Sequence, residues 1–447
     1  MRSSAESLDL LTDLVAEARR AGADAADALY VDGVSLSHAQ RLGKTERLER
    51  AEGRDLGLRV FIGRRQAIAS SSDQSAKALR ALVERVIAMA RVVPDDPFCG
   101  LADETLLERR PPALDIDEAA EPAPEDLIAR AKETEEAALA IKGVTNSEGA
   151  EAGWARSRVA LVTSHGFHES YTSSRHSVGV AVIAGDGLGM ERDYAHASAI
   201  HAADLESPKA VGLRAGERVV KRLGARKMPS TRASVVYDPR IAGGLLRHLA
   251  GAISGAAIAR GTSFLKDSLG QAIFAPALSV IDDPHRPRGL ASKPFDGEGV
   301  ANHRRAIIEK GALTTWLLDS RSARQLNLTT TGHAARGTSA PPNPAPTNLY
   351  FEPGPVSPRG LIADIKSGLY VTELIGMGVN LITGDYSRGA AGFWIENGVI
   401  AYPVHEVTIA GHLAEMFRNL SVADDLVFRY GIDAPTVRID GMTVAGT

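Results

Sequence analysis

LGLRVFIG (Leu56–Gly63) and VGVAVIAG (Val178–Gly185) are two similar stretches in which apolar residues alternate with small or polar ones up to a final glycine. Alternation of this kind predicts a β-strand with one buried face. Each stretch is preceded by one helix-like segment and followed by another, and the second set begins about 120 residues after the first. The matched order predicts a helix–strands–helix unit that occurs twice, rather than two unrelated α/β segments.

Four segments with apolar residues at helical spacing flank these strands. The first unit has Ser7–Gly22 and Ser75–Ala90, and the second has Glu125–Gly143 and Ser207–Arg222. The two closing helices share an E-R-V-[IV] run, and each begins at a serine, a residue that caps helix N-termini well. We therefore expect N-caps at Ser75 and Ser207.

A segment rich in proline and acidic residues, Val92–Asp126, separates the two units and predicts an exposed connector. It contains Cys99, the only cysteine in the chain. One cysteine excludes an intrachain disulfide, and a zinc site would have to come almost wholly from histidines and carboxylates. Cysteine usage therefore favours a reducing, cytoplasmic setting with Cys99 as a lone loop thiol.

The second half of the chain has a different character. A strand is predicted at Ala233–Asp238, followed by a Gly/Ala-rich helix that begins at Pro239, since proline is favoured in the first helical turn. Many short strands follow, and two hairpins are legible from glycine turns. They are Arg305–Asp319, turning at Lys310-Gly311, and Phe393–Val404, turning at Asn397-Gly398.

Between the hairpins, Ser339–Pro358 carries seven prolines. Proline cannot donate a ladder hydrogen bond, so this stretch is predicted to stay out of central strands and to lie on the surface or line a cleft. The whole pattern predicts an α+β fold, with a duplicated helix–strands–helix N-terminal region and a strand-rich C-terminal domain. The predicted boundaries are residues 1–92 for the first repeat, 93–124 for the connector, 125–230 for the second repeat and 231–447 for the C-terminal domain.

The charge balance excludes some classes of partner. The 447 residues include 51 basic and 55 acidic ones, a net charge of −4, which gives no general attraction to nucleic acid or anionic lipid. Acidic residues precede any apolar stretch of signal-peptide length, and the apolar run Leu249–Ala259 is too short to span a bilayer. We expect neither direct nucleic-acid binding nor membrane association.

Histidine is a common zinc ligand, and the chain has twelve histidines. No H-E-x-x-H motif is present, and the nearest string joins His405-Glu406 to His412. On a helix this spacing of seven residues is a rise of about 10 Å, too far for two ligands of one zinc ion. The run between them is also strand-like, so these histidines predict no metal site.

Polar residues and turn-forming glycines are densest in Gly376–Gly398. The polar residues in the predicted loop are Asp385, Tyr386, Ser387 and Arg388. Such a loop can clamp a peptide backbone or a carboxylate through Arg388, or it can form a tight corner with an internal Asp385–Arg388 pair. The residues alone leave both alternatives open.

The sequence of this loop also resembles that of a known protein family. TGDYSRGAAGFWIENG (Thr383–Gly398), followed by Y-P-V-x-E-V-T-I-A-G (Tyr402–Gly411), resembles the C-terminal signature of the TldD/PmbA family, and of its PmbA (TldE) branch in particular. NLYFEPG (Asn348–Gly354) and the duplicated unit extend the resemblance over nearly the whole chain. It implies a cytoplasmic peptidase in which TldD-type and PmbA-type chains pair. The TldD-type chain holds zinc on an H-E-x-x-x-H motif and a cysteine near the C-terminus.

The resemblance assigns the three motif positions of the family to Arg247, His248 and Ala252. Arginine stays protonated and alanine has no ligand atom, so neither can bind zinc. His248 stands where the family uses a carboxylate base, and no cysteine follows Cys99. The resemblance therefore implies no metal and no catalytic residue in this chain, with zinc held by a TldD-type partner.

The resulting prediction is a non-catalytic subunit that pairs with a TldD-type chain and shapes the path of an unfolded, extended or leader peptide. The residues expected along this path are Asp385, Tyr386, Ser387, Arg388, Asn348 and Tyr350. Two alternatives stay open. One is a homodimeric protein that binds peptides or an enzyme such as DNA gyrase, with which the family has been linked. The other is an independent hydrolase that uses His248 or His405.

Overall fold

The structure, a computed structural model, describes residues 3–446 and has a mixed helix and strand fold that confirms the predicted class. The first unit comprises α1 (Ser4–Arg20), β1 (Ala25–Arg41), β2 (Lys44–Ile62), β3 (Arg65–Ser71) and α2 (Ala76–Val92). The second comprises α3 (Pro124–Leu139), β4 (Val144–Thr163), β5 (His168–Ala184), β6 (Glu191–Ala199) and α4 (Pro208–Lys221). The helix–strands–helix unit therefore does occur twice, and the two quoted strand stretches lie in β2 and β5.

The six strands of the two units form one antiparallel sheet in the order β3-β2-β1-β4-β5-β6. The units meet at β1 and β4, where Gly33 is opposite Ser157, so each half of the sheet mirrors the other in sequence order. The closing helices begin as predicted, because Ser75 accepts a hydrogen bond from the amide of Ala78 and Ser207 from that of Ala210.

Strand alternation gives the sheet two different faces. In β1, Ala28 and Tyr30 belong to the core that α1 and α2 cover, whereas Leu29 belongs to a separate cluster on the other face. This second cluster takes in Leu107 of the connector and Phe295 of the C-terminal region. The N-terminal sheet therefore packs on helices on one side and on the connector and C-terminal region on the other.

The connector is not an exposed linker, and the prediction for Val92–Asp126 was wrong in this respect. Its apolar residues Leu107, Leu114 and Ile116 are 5, 6 and 7% exposed. Leu107 also forms a β-bridge with Val300 of the C-terminal region. Proline and acidic residues dominate the composition of the connector, but the apolar residues among them are buried between the two halves of the molecule.

The second half begins with β7 (Thr231–Tyr237), α5 (Pro239–Ala252), α6 (Gly255–Ala259), β8 (Val280–Asp282), β9 (Arg305–Glu309), β10 (Ala312–Leu313) and α7 (Ser320–Gln325). It continues with β11 (Ala334–Ala335), β12 (Asn343–Pro344), β13 (Leu349–Phe351), α8 (Pro358–Ile362), β14 (Ser367–Ile375) and β15 (Asp385–Glu396). The last elements are β16 (Val399–His412), α9 (Leu413–Arg418), β17 (Leu420–Val422), β18 (Ile432–Asp433) and β19 (Val437–Ala445).

A barrel organises these strands. The larger sheet has the order β16-β15-β14-β7-β19-β17, and β16 also pairs with β19, which closes a ring. A smaller sheet has the order β10-β9-β8-β13-β18. Helix α5 contacts β14 of the ring and also β13 and β18 of the smaller sheet. Its buried residues Leu245, Leu246 and Leu249 belong to the core that the two sheets share.

The proline-rich stretch contains a central strand, which contradicts the prediction for Ser339–Pro358. Leu349–Phe351 forms β13, between β8 and β18. Leu349 and Phe351 are both fully buried. The seven prolines flank this three-residue run and leave its amides free to join the ladder.

Both predicted hairpins are confirmed. Lys310 and Gly311 have φ of 47° and 84° between β9 and β10, and Asn397 and Gly398 have φ of 50° and 77° between β15 and β16. Two successive left-handed residues are the signature of a type I′ turn, which matches the twist of the flanking strands. None of the helices within residues 3–446 combines the length and hydrophobicity that a bilayer crossing requires.

Candidate functional site

The three degenerate motif residues lie on α5, which runs as a regular helix to Ala252. Arg247 is exposed, His248 is half-buried and Ala252 is fully buried. Successive residues on a helix point about 100° apart, so Arg247 and His248 face different surroundings. The three side chains therefore do not converge on one point in space.

His248 faces β15. Its ring stands edge-on to that of Tyr386, with 5.9 Å between the centroids and 76° between the planes. The hydroxyl of Tyr386 in turn lies 3.5 Å from the hydroxyl of Tyr237, at the end of β7. The structure thus brings together His248 and Tyr386, two of the residues singled out from the sequence. It adds Tyr237, which sequence reasoning treated only as part of a strand.

Burial sets the protonation of His248, Tyr386 and Tyr237, which we call the His248 cluster. It lowers the pKa of His248 to about 4, and the positive charge of Arg388 acts in the same direction. Burial raises the pKa of Tyr386 and of Tyr237. At neutral pH the cluster is therefore an uncharged imidazole and two uncharged phenols beside one guanidinium, and it offers no strong general base.

These residues do not fit a zinc ion. Among residues 3–446, no group of three or more His, Cys, Asp or Glu side chains is arranged to hold a metal. Around His248 the neighbours are phenols and Arg388, whose guanidinium would repel a cation. Cys99 lies in the connector, where burial raises its thiol pKa and so disfavours the thiolate that zinc requires.

His405 and His412 have structural roles on β16. The Nδ1 atom of His405 lies 3.5 Å from a carboxylate oxygen of Glu191. His412 donates from Nε2 to the carbonyl of Thr383 at 2.7 Å, and its Nδ1 accepts from the amide of Ala414 at 3.3 Å, which caps α9. Both ring nitrogens of His412 thus form hydrogen bonds within the chain itself.

Asp385–Arg388 is a strand and not a loop, which corrects the prediction. It forms the start of β15 and pairs with β16, with Asp385 opposite His412 and Arg388 opposite Ile409. Strand alternation turns Tyr386 inward and leaves Asp385 and Ser387 exposed. Glycines and polar residues suggested a loop, but the alternation continues through them.

The internal Asp385–Arg388 pair is not formed either. Asp385 accepts a hydrogen bond from the hydroxyl of Thr383 at 2.6 Å. The Nε of Arg388 donates instead to the carbonyl of Ile375, at a long 3.4 Å. Arg388 therefore lies at the edge of the His248 cluster without a carboxylate partner within the described chain.

A groove opens on the other face of α5. It has a volume of about 570 Å³ and is lined by α5 and α6, by the proline-rich segment and by the loop before β15. The lining includes Arg247, Gly251, Ser254, Ala257, Arg260, Asn343, Pro344, Ala345, Pro346, Leu381 and Ile382. The proline-rich stretch thus does line a cleft, through Asn343–Pro346. We call this cleft the α5 groove.

Asn348 and Tyr350 do not line the α5 groove. The amide nitrogen of Asn348 donates to Asp283 and Ser292 at 2.7 and 2.8 Å, and its oxygen accepts from the amide of Ala291 at 3.1 Å. Asn348 is buried and fully bonded, so it holds the local structure together. Tyr350 packs edge-on against Phe428, with 5.0 Å between the centroids. The structure separates both residues from the His248 cluster.

Family models match nearly the full length of the chain. Those described as PmbA/TldA metallopeptidase domain 1, central domain and C-terminal domain match residues 26–90, 117–223 and 230–446. The chain belongs to the TldD/PmbA family. A relative from Escherichia coli O157:H7, Metalloprotease PmbA, is 41% identical over 425 residues, which are 95% of this chain and 92% of the relative. The Metalloprotease PmbA homolog of Haemophilus influenzae is 38% identical and covers 96% of this chain and 94% of its own.

Solved structures of the TldD/PmbA fold superpose over almost every residue. A protein from Bacteroides thetaiotaomicron, described as a candidate modulator of DNA gyrase, has a TM-score of 0.90 at 28% identity and covers 99% of both chains. TldE from Thermococcus kodakarensis has a TM-score of 0.85 at 19% identity, covers 97% of this chain and 99% of its own, and supports the fold. The relatives' name of metalloprotease contrasts with the α5 residues of this chain, which lack a zinc ligand set.

Proposed function

We propose that this chain is the non-catalytic, PmbA/TldE-type subunit of a heteromeric zinc metallopeptidase of the TldD/TldE kind, which cleaves unfolded or leader peptides. The zinc and the catalytic base belong to a TldD-type partner in a cytoplasmic heterodimer. The observation that carries the proposal is the His248 cluster. At the positions that the family resemblance assigns to the metal motif, this chain has Arg247, a neutral His248 beside Arg388, and Ala252.

The α5 groove supports a role in guiding peptides. Its volume of about 570 Å³ falls within the range of roughly 300–1,000 Å³ that ligand pockets usually have. Leu381, Ile382 and the prolines provide apolar contacts, and Arg247 and Arg260 provide two cations for carboxylates or backbone carbonyls. Arg247, at a ligand position of the family motif, therefore contributes in this chain to a surface for substrate and not to a metal site.

The proposal is tested by mixing the purified chain with a TldD-type subunit and separating the mixture by size-exclusion chromatography. We expect co-elution, and cleavage of an unfolded model peptide only by the complex. Isolated chain is expected to leave the peptide intact. Cleavage by the isolated chain at the rate of the complex would refute the proposal.

The homodimeric alternative rests on a different observation, the description of the Bacteroides protein as a candidate modulator of DNA gyrase. Under this alternative the chain acts without a peptidase partner and binds a peptide or a protein through the same groove. Failure to form a complex with the TldD-type subunit at micromolar concentration, together with a stable homodimer, would favour it.

A further inference from the structure

A second cavity lies where the end of β6 meets the C-terminal region. It has a volume of about 140 Å³, and its walls include Ser198, Arg286, Arg288, Asn348, Phe428 and Arg429. We call it the junction cavity. The strand β18 separates it from the α5 groove, since Gly431 and Asp433 line the junction cavity and Ile432 lines the groove.

Two arginines of the junction cavity have a carboxylate nearby but no direct ion pair, since Arg286 acts electrostatically on Asp433 and Arg429 acts on Glu206. Within residues 3–446, the guanidinium groups of Arg286 and Arg429 form no ion pair or side-chain hydrogen bond. Arg288, on the same wall, is different, because its Nε lies 2.6 Å from Asp115 and its Nη1 lies 2.8 Å from Asp204. The cavity is therefore lined by one arginine paired with carboxylates, by two arginines whose guanidinium N–H groups are unused, and by the carboxylates of Asp204 and Asp433.

Phe428 holds one of the free arginines in place. The guanidinium carbon of Arg286 lies 3.2 Å from the centroid of the Phe428 ring. Stacking of this kind fixes the plane of a guanidinium and leaves its N–H edge available for a forked hydrogen bond. Tyr350 of β13 in turn packs edge-on against Phe428, so β13 holds the ring on which Arg286 stacks.

The carboxylate of Asp433 lines the cavity but is occupied with backbone. It accepts hydrogen bonds from the amides of Arg429, Tyr430 and Gly431 at 2.9, 3.0 and 3.1 Å. Burial raises its pKa. Asp433 therefore shapes the turn that carries Arg429 and forms no ion pair with the guanidinium of Arg429.

The surroundings of Arg429 are positive. The ring of His196 lies 4.9 Å from that of Tyr430, and burial lowers the His196 pKa with the help of Arg214, Arg218 and Arg429. Of these three cations, Arg214 is paired with Glu206, whereas Arg218 donates only to the carbonyl of Tyr194. Of these cations, Arg429 also lines the junction cavity, where its positive charge attracts an anion.

We propose that the junction cavity binds an oxyanion, either a carboxylate or a phosphate group, between the guanidinium groups of Arg286 and Arg429. Arginine suits this chemistry because its planar fork matches the paired oxygens of both groups. The volume of about 140 Å³ holds several waters at about 30 Å³ each, and therefore admits one carboxylate or phosphate group, while the rest of a larger ligand would lie outside the cavity. This inference does not depend on the proposed peptidase role, since it concerns the chain alone.

The test is calorimetric titration of the isolated full-length chain with inorganic phosphate, with an acetylated dipeptide that has a free C-terminal carboxylate, and with the amide of that dipeptide. The variants are R286Q and R429Q, and the control is R359Q, because Arg359 is an exposed arginine of α8 outside the cavity. Unfolding midpoints of all variants show whether each one is folded.

We expect saturable binding of phosphate or of the free dipeptide, weakened about tenfold or more by R286Q and by R429Q, since each removes a charge-assisted hydrogen bond. R359Q is expected to bind like the unaltered chain. Stronger binding of the dipeptide acid than of phosphate identifies a peptide carboxylate as the ligand, and the reverse order identifies free phosphate. Absence of saturable binding, or equal binding by all three folded variants, would overturn the proposal.

Discussion

The imidazole of His248 on α5 stands edge-on to the ring of Tyr386 on β15, with 5.9 Å between the ring centroids. This contact joins the degenerate metal motif to the family signature in the C-terminal part of the chain. It gives the imidazole a buried aromatic neighbour rather than a carboxylate or a second imidazole.

Acidification should destabilise the protein through His248. Its folded-state pKa of about 4 lies below the ordinary value of 6.5, so the unfolded chain binds more protons than the folded chain between these values. Stability contributed by the neutral imidazole is therefore present above pH 6.5 and is lost as the pH falls towards 4. Urea unfolding at pH 7 and at pH 5 measures this loss. Between these pH values, the free energy of unfolding should fall less in H248F than in the unaltered chain, by roughly 1–2 kcal/mol after allowance for partial exposure. Equal losses in the two proteins would contradict this assignment.

Arg388 should hold the pKa of His248 down. Replacement by glutamine removes a positive charge beside the imidazole, so the His248 pKa should rise in R388Q. An NMR titration that follows the ring protons of His248 measures the change directly. H405A is a useful spectral control, because His405 contacts Glu191 and not the His248 cluster. An unchanged or lower pKa in R388Q would show that Arg388 does not act on this histidine.

Filling the α5 groove should impair peptide processing by the complex. A side chain at Gly251 would point at Leu381, since a Cβ there lies 2.7 Å from the Cδ1 of Leu381. G251L should therefore raise KM for an unfolded peptide several-fold. G244L is the matched control on the same helix, because a Cβ at Gly244 meets nothing within 4 Å. Both variants also replace a glycine within the helix. Because glycine disfavours a helix by about 1 kcal/mol, this effect on stability is common to both variants. Equal KM values in the two variants would exclude the groove as the substrate path.

The connector should contribute to global stability. Leu107 is 5% exposed in the cluster between the two halves, and its truncation leaves a cavity there. L107A should lower the free energy of unfolding by about 2–4 kcal/mol. L42A, at a leucine that is 52% exposed, should change it by less than about 0.5 kcal/mol. If L107A unfolds like L42A, the connector is a linker after all.

Local rules of sequence predicted much of the fold. Strand alternation located the cores of β2 and β5, serine located the caps at Ser75 and Ser207, and Asn397-Gly398 located a hairpin turn. Each of these signals acts within a few residues. Closure of the barrel, in which Ile409 pairs with Val444, depends on two strands whose separate sequences carry no mark of the pairing.

The incorrect predictions came from composition. Prolines around Leu349–Phe351 concealed a central strand because the ladder needs only the three amides between them. Glycines and charges around Asp385–Arg388 suggested a loop, although alternate residues there face opposite sides. The approach of Tyr386 to His248 could not be predicted from either motif alone, since it depends on how β15 is placed across α5. The sequence feature that could have pointed to Tyr237 is a large aromatic residue with a hydroxyl group at the end of a buried strand.

The central claim is that this chain carries no metal of its own and relies on a partner for catalysis. The most direct measurement is zinc analysis of the isolated chain and of its complex with a TldD-type subunit, each prepared without chelator and with zinc present. We expect substoichiometric zinc in the isolated chain and about one zinc per heterodimer. About one zinc per isolated chain, lost in H248A, would contradict it.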